Sequence, residues 1–312
     1  MIRYNKELNG VFAIILASFL WGTTGTVASF SPDISAMAIG AFSTGSAGIL
    51  LVVTARKALF SHLKVMVAQP WVLLTGTFSV AIYPLAFYSS MRLSGVAIGT
   101  VVSLASAPMF SAILECLISK KLISRQWVFS FIIGALGIIL LTMGKDLRSL
   151  SSDDALLQSI GIVLGLIAGL TYANYSWAAK HFIDSGVNAQ SAVASLFGFA
   201  ALILLPSLWF TGENLFSSIR NICVSLYMAI IPMFLGYLLF GFGLKRIEAS
   251  KVTLITLIEP LVATILAVII IGEKLQMIGW LGMVLLCCCL IMQSIEFGAR
   301  AKLNAFKGDR IT

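Results

Sequence analysis

Charge is what this chain has least of. Asp, Glu, Lys and Arg together make up 11% of its 312 residues, against about 25% in a soluble domain. With 59% hydrophobic residues and a mean hydropathy of +1.00, it cannot cover a water-facing surface, so lipid must solvate most of it. Histidine is nearly absent: His62 and His181 are the only two, and both are read as solvated loop residues. The five cysteines (Cys116, Cys223, Cys287, Cys288 and Cys289) are odd in number and lie in apolar runs. They have no metal-ligand spacing to either histidine, which makes them small packing residues. No metal and no cofactor is expected. An enzyme would need nucleophile, base and metal groups at one depth, and two loop histidines with two separated glutamates do not supply them. A receptor or assembly partner should carry a sizeable polar domain, and the longest polar candidate is a short basic segment after Phe297.

What is present is apolar length. Ten runs of about 20 residues fit the bilayer core: 9–30, 34–54, 71–90, 97–118, 127–144, 159–179, 189–209, 222–243, 252–271 and 275–295. They are too long for barrel strands, so each is a predicted helix. The first is too long for a cleaved leader and lacks a small-residue cleavage site, so it should stay as span one.

Basic residues set the predicted orientation. With the N-terminus cytoplasmic, the inner segments hold Arg3 and Lys6, then Arg56, Lys57 and Lys64, then Lys120, Lys121 and Arg125. Lys180 follows, then Lys245, Arg246 and Lys251, and the tail adds Arg300, Lys302, Lys307 and Arg310. Only Arg92, Lys145, Arg148, Arg220 and Lys274 fall outside. Both termini are therefore expected in the cytoplasm. The net charge of +8 reflects this topology and contact with anionic lipid, and no further feature supports nucleic-acid binding.

The chain also repeats itself. Ile118-Ser-Lys-Lys-Leu122 runs on to Trp127, and Ile271-Gly-Glu-Lys-Leu275 runs on to Trp280. Ala97 and Pro108 align with Ala249 and Pro260, and Trp21-Gly22-Thr23-Thr24 lies over Tyr172-Ala173-Asn174-Tyr175. A half-length repeat in an apolar chain marks a two-halved secondary transporter. Five spans per half is odd, so the halves enter the membrane from opposite sides and are inverted. The expected division is a first repeat over 1–145, an outer linker over 146–158, a second repeat over 159–296 and a basic cytoplasmic tail over 297–312.

Polar groups inside the membrane carry the functional reading. Glu115 and Glu259 are the carboxylates clearly within spans. Glu259 stands before Pro260, whose missing N–H frees a carbonyl near Thr256. It is either a wall of a substrate cavity or a structural group paired with a neighbouring helix. Glu115 lies near the inner interface and is read as snorkelling toward Lys120 or Lys121. Pro108 is preceded by the small residues Ser103, Ala105, Ser106 and Ala107, which allow close helix approach or leave space for a ligand. Ala107 stands where the other half has Glu259, so the halves are not chemically equivalent.

Trp21 and Thr24 share a face of span one, as do Thr171, Asn174 and Tyr175 in span six, where Tyr172 adds a further aromatic. Tyr83-Pro84 and Tyr88 in span three, and Gly236-Tyr237 in span eight, pair a bend with a hydrogen-bonding aromatic. These tyrosines either line a cavity or join helices. Candidate substrate contacts are therefore Trp21, Thr24, Tyr83, Tyr88, Ser106, Tyr172, Asn174, Tyr175, Tyr237, Thr256 and Glu259, with kinks at Pro84, Pro108 and Pro260. Gly134-x-x-Gly137, Gly279-x-x-Gly282 and the cysteine run give spans five and ten faces suited to close packing or to a homodimer; a monomer is the alternative.

With ten spans, two halves, Leu20-Trp21-Gly22, Glu259-Pro260 and Gly272-Glu273-Lys274-Leu275, the chain resembles the EamA family of the drug/metabolite transporter superfamily over about residues 9–295. The resemblance implies two inverted five-helix repeats, a central cavity walled by helices 1, 3, 4, 6, 8 and 9, and helices 5 and 10 set to the side. It implies transport of amino acids, other metabolites or drugs, often outward. The first half departs from the pattern, with Ser119-Lys120 replacing Gly-Glu and Ala107 before Pro108. The leading expectation is an inner-membrane exporter of an amino acid or related amine, working by alternating access and driven by proton exchange. An importer or a facilitator is the alternative.

Overall fold

The computed structural model describes residues 2–94, 96–144, 155–272 and 274–308. Eight helices are long and apolar enough to span a bilayer, and two shorter apolar ones bring the total to ten. They are α1 (Lys6–Ala28), α2 (Ala36–Val67), α3 (Pro70–Ser94), α4 (Gly99–Leu117), α5 (Arg125–Leu141), α6 (Leu156–Asp184), α7 (Ala189–Thr211), α8 (Ile219–Leu244), α9 (Ala249–Ile271) and α10 (Met277–Met292). No strand occurs among the described residues. The all-α, ten-helix reading holds. Lys145, Arg148 and most of the 146–158 linker lie outside the described residues, as does Glu273.

The packing follows the repeat. α2 lies along α7, and α5 lies along α10; under the inverted repeat each of these pairs joins equivalent helices. α6 packs against α3 and α4, and α1 packs correspondingly against α8 and α9. The close seat of α6 has a sequence cause in Gly161-x3-Gly165-x3-Gly169, spaced along one helix face. A Cβ at Gly161 would lie 2.6 Å from the Ser94 amide, and one at Gly169 would lie 2.0 Å from Ser106 Oγ. The small faces of α5 and α10 are spent on each other within one chain, around Gly137 and Gly282.

The prolines of α3, α4, α8 and α9 act in different ways. α3 and α4 stay continuous through Pro84 and Pro108. In α8 the distortion centres on Pro232, upstream of the expected Gly236-Tyr237 bend, as a π-helical stretch over Ala229–Leu235. Proline lacks the N–H and its ring crowds the carbonyl one turn earlier, so the turn widens there. α9 is broken: Ala249–Ile255 and Ile258–Leu266 are separate helical pieces. At that break the Glu259 amide donates to the Thr256 carbonyl at 2.9 Å, which takes up the acceptor that Pro260 cannot serve.

Candidate functional site

A central cavity lies where α1, α2, α3, α6, α7, α8 and α9 converge. Trp21 and Thr24 enter it from α1, Tyr83, Pro84 and Tyr88 from α3, and Tyr172 and Tyr175 from α6. Tyr237 comes from α8 and Glu259 from α9. Helical spacing explains these sets: residues three or four apart share a face, so α6 presents Tyr172 and Tyr175 together. The space open to the centres of water-sized bodies is about 70 Å³, enough for a few waters or a small solute.

The aromatic wall is held in contact ring by ring. Trp21 and Tyr237 have centroids 5.1 Å apart, and Phe197 and Tyr237 are 4.1 Å apart. Tyr83 lies 5.5 Å from Tyr172. Hydrogen bonds fix most of the polar tips. The Trp21 indole N–H donates to the Pro232 carbonyl at 2.9 Å, an acceptor that the π-helical turn makes available. Glycine at 236 permits this approach, since a Cβ there would lie 2.6 Å from Trp21 Nε1. The Tyr172 hydroxyl donates to Thr256 Oγ1 at 2.9 Å, and the Tyr175 and Tyr237 hydroxyls share a hydrogen at 3.0 Å.

Three sequence-predicted residues stand elsewhere. Asn174 points off the cavity face of α6 and donates to Ser79 Oγ at 2.9 Å, joining α6 to α3. Ser106 bonds the Ser103 carbonyl at 3.3 Å and faces Gly169. The small face of α4 is thus consumed in packing on α6, and α4 contributes nothing to the cavity among the described residues. Thr256 sits behind Tyr172 as its acceptor. The sequence reading missed Gly40 and Thr44 of α2, Val80 and Phe87 of α3, Phe197 of α7 and Met233 of α8. Only Thr44 is polar, so no intramembrane polarity marked the others.

Among the described residues, Glu259 is the one charged residue of the wall. No Lys, Arg or His lines the cavity among the described residues, and no ion pair reaches Glu259 there. An ionised carboxylate in this setting must be met by something that enters from outside.

Glu115 behaves differently from the snorkelling expectation. It is 4% exposed and accepts the backbone amides of Ala249 at 2.8 Å and Ser250 at 3.3 Å. Those donors open α9 and have no partner inside it, so a buried carboxylate on α4 caps a helix of the other half. Beside it, Lys121 pairs with Asp184 at 3.2 Å and with Glu248. Burial works against the Lys121 ammonium, but the two carboxylates outweigh it and hold its pKa above the usual range. Lys180 bonds Asp184 at 3.1 Å and the Leu244 carbonyl at 2.9 Å. Trp177 donates to Ser119 at 3.0 Å, and His181 bonds Gln69 at 2.8 Å, so it is not a free loop residue. These contacts tie both halves together at one end of the bundle. No cluster of metal-ligating side chains occurs among the described residues.

Residues 8–143 and 159–295 each match the EamA-like transporter family. The chain belongs to that family. An uncharacterized transporter of Bacillus subtilis, YwfM, is 32% identical over 90% of this chain and 92% of its own length. A probable amino-acid metabolite efflux pump of Salmonella typhimurium is 30% identical over 41% of this chain and 48% of that protein. One solved crystal structure superposes with a TM-score of 0.76, covering 95% of this chain and 98% of its own at 16% identity, which supports the fold alone. The EamA cavity implied by the sequence included helix 4; among the described residues α2 and α7 take part and α4 does not. Helices 5 and 10 pack on each other to the side, as the family implies.

Proposed function

We propose that this EamA-family transporter is a multi-pass protein of the inner membrane that exports a small metabolite by alternating access, with the central cavity as its site. The observation that carries the reading is Glu259, a carboxylate with no protein cation beside it among the described residues, set in an aromatic cavity whose walls come from both halves. Its charge is met alternately by a proton and by the substrate, which makes the protein an antiporter. Trp21, Thr24, Tyr83, Tyr88, Tyr172, Tyr175 and Tyr237 form the substrate walls, and Thr256 positions Tyr172. A solute with apolar and polar parts suits this lining, either an amino acid or a related amine. The likeness of part of the chain to a probable amino-acid metabolite efflux pump supports the same class.

In this scheme residues 1–145 and 159–296 rock against each other, and both termini face the cytoplasm. The Lys121 end is then the cytoplasmic end, and its ion pairs close the inner mouth. Counterflow in proteoliposomes, with and without a pH gradient, tests the proton role. Native protein should respond to the gradient and Glu259→Gln should not. Gradient-independent flux that survives the substitution rules the proton role out.

A further inference from the structure

We propose that the cavity takes an organic cation, an amine on a small apolar body, in preference to a zwitterionic amino acid. This rests on the reading of the cavity as the substrate site. The argument begins with charge. The lining holds one carboxylate and, among the described residues, no cation. The α-carboxylate of an amino acid would enter a low-dielectric space beside Glu259 with no opposite charge to meet it, and a desolvated like-charge contact is strongly unfavourable.

Neutral donors do not make up the difference, because most are already engaged. The Trp21 N–H is bound to the Pro232 carbonyl, and the Tyr172 hydroxyl to Thr256. At the break in α9, where a free helix end would hold an anion, the Leu257 and Glu259 amides donate to the carbonyls of Leu254 and Thr256. The hydroxyls of Tyr83 and Tyr88 remain, with one hydrogen of the Tyr175–Tyr237 pair, and these oxygens serve a cation equally well as acceptors. Much of the remaining wall is aromatic, from Trp21, Phe87, Phe197 and the tyrosines, and an aromatic face attracts a cation through its quadrupole and repels an anion. A single positive charge on an apolar body satisfies carboxylate, rings and hydroxyl acceptors at once.

The test uses four probes with one phenyl ring: phenethylamine, phenylalanine, 2-phenylethanol and 3-phenylpropionate. Binding to the purified full-length protein in lipid nanodiscs is read by calorimetry at about pH 8, where an alkylamine is still charged. Phenethylamine should bind tightest, and Glu259→Gln should weaken it by roughly 30-fold or more, as when one member of a desolvated charge pair is removed. Glu259→Asp, which keeps the charge, should retain the preference for the amine and guards against a folding defect. If phenylalanine or the alcohol binds as well as the amine, and Thr24→Trp, which fills the cavity, abolishes that binding, the cation assignment is overturned while the cavity stands as the site. If the amine binds and Thr24→Trp leaves it unchanged, or if no probe binds, the cavity reading fails and the cation assignment fails with it.

Discussion

Glu115 gives the sharpest quantitative test of how the halves are joined. Glu115→Ala removes the acceptor for two buried amides of α9, those of Ala249 and Ser250. An orphaned buried donor costs about 1–3 kcal/mol. The Ser250 bond is the longer of the two, so the total should be about 2–4 kcal/mol. Glu115→Gln keeps one neutral acceptor, which can serve the Ala249 amide, and should cost only about 1 kcal/mol. The neighbouring ion pairs set the comparison. Lys121 is 34% exposed and its partners Asp184 and Glu248 are 47% and 41% exposed, so Lys121→Met should cost about 0–1 kcal/mol. Thermal unfolding of the three variants in one detergent therefore has a fixed order: Glu115→Ala lowest, by about 5–10 °C, then Glu115→Gln, then Lys121→Met. If Lys121→Met is as damaging as Glu115→Ala, the carboxylate works mainly through the ammonium, and the capping argument is wrong.

Trp21→Phe keeps an aromatic ring but removes the N–H bound to Pro232 and part of the buried indole, so it should cost about 1–3 kcal/mol of stability, read as a lowered melting temperature. Gly169→Ala should destabilise by about 1–3 kcal/mol through overpacking against Ser106, and adding Ser106→Ala should recover part of it in the double variant. Orientation is open to labelling: in a cysteine-free background, a cysteine at Lys307 should react only with a reagent that reaches the cytoplasm, and one at Ser152 only with an external reagent. The reverse pattern would turn the protein over in the membrane.

The spans and the repeat were legible because both rest on signals that any environment preserves: apolar length and similar segments at matching positions of the two halves. The cavity was legible in part, where a residue is costly in lipid. Glu259 and the tyrosines announced themselves that way. Asn174 sent the same signal and turned out to join α6 to Ser79, because a polar group in lipid needs only a partner, and a helix supplies one as readily as a ligand does. Phe197 and Met233 sent no signal at all, since an apolar residue facing a cavity reads like one facing lipid. Glu115 was misjudged through its neighbours in sequence: Lys120 and Lys121 are close along the chain, whereas the amides of Ala249 and Ser250 come from a helix that only the fold brings near. The distortion of α8 lies at Pro232, four residues before the expected Gly236-Tyr237 bend, because a proline disturbs the turn that precedes it.

The unequal state of α4 and α9 has a kinetic consequence. In an inverted-repeat carrier, turning the site to the other side amounts to each half taking up the shape its counterpart held. Here α4 runs unbroken through Pro108, while α9 is divided near Thr256 and ends in a π-helical stretch over Ala267–Ile271. A conformation open to Pro260 and its broken helix is not open on the same terms to Pro108, so the two facing states cannot be mirror images in free energy. Under the proposed alternating access, the empty carrier should dwell longer on one side than on the other, a bias written into its backbone before any gradient acts. Single-molecule distance measurements across the two mouths would show it as unequal lifetimes, and equal lifetimes would mean that the break in α9 moves without cost.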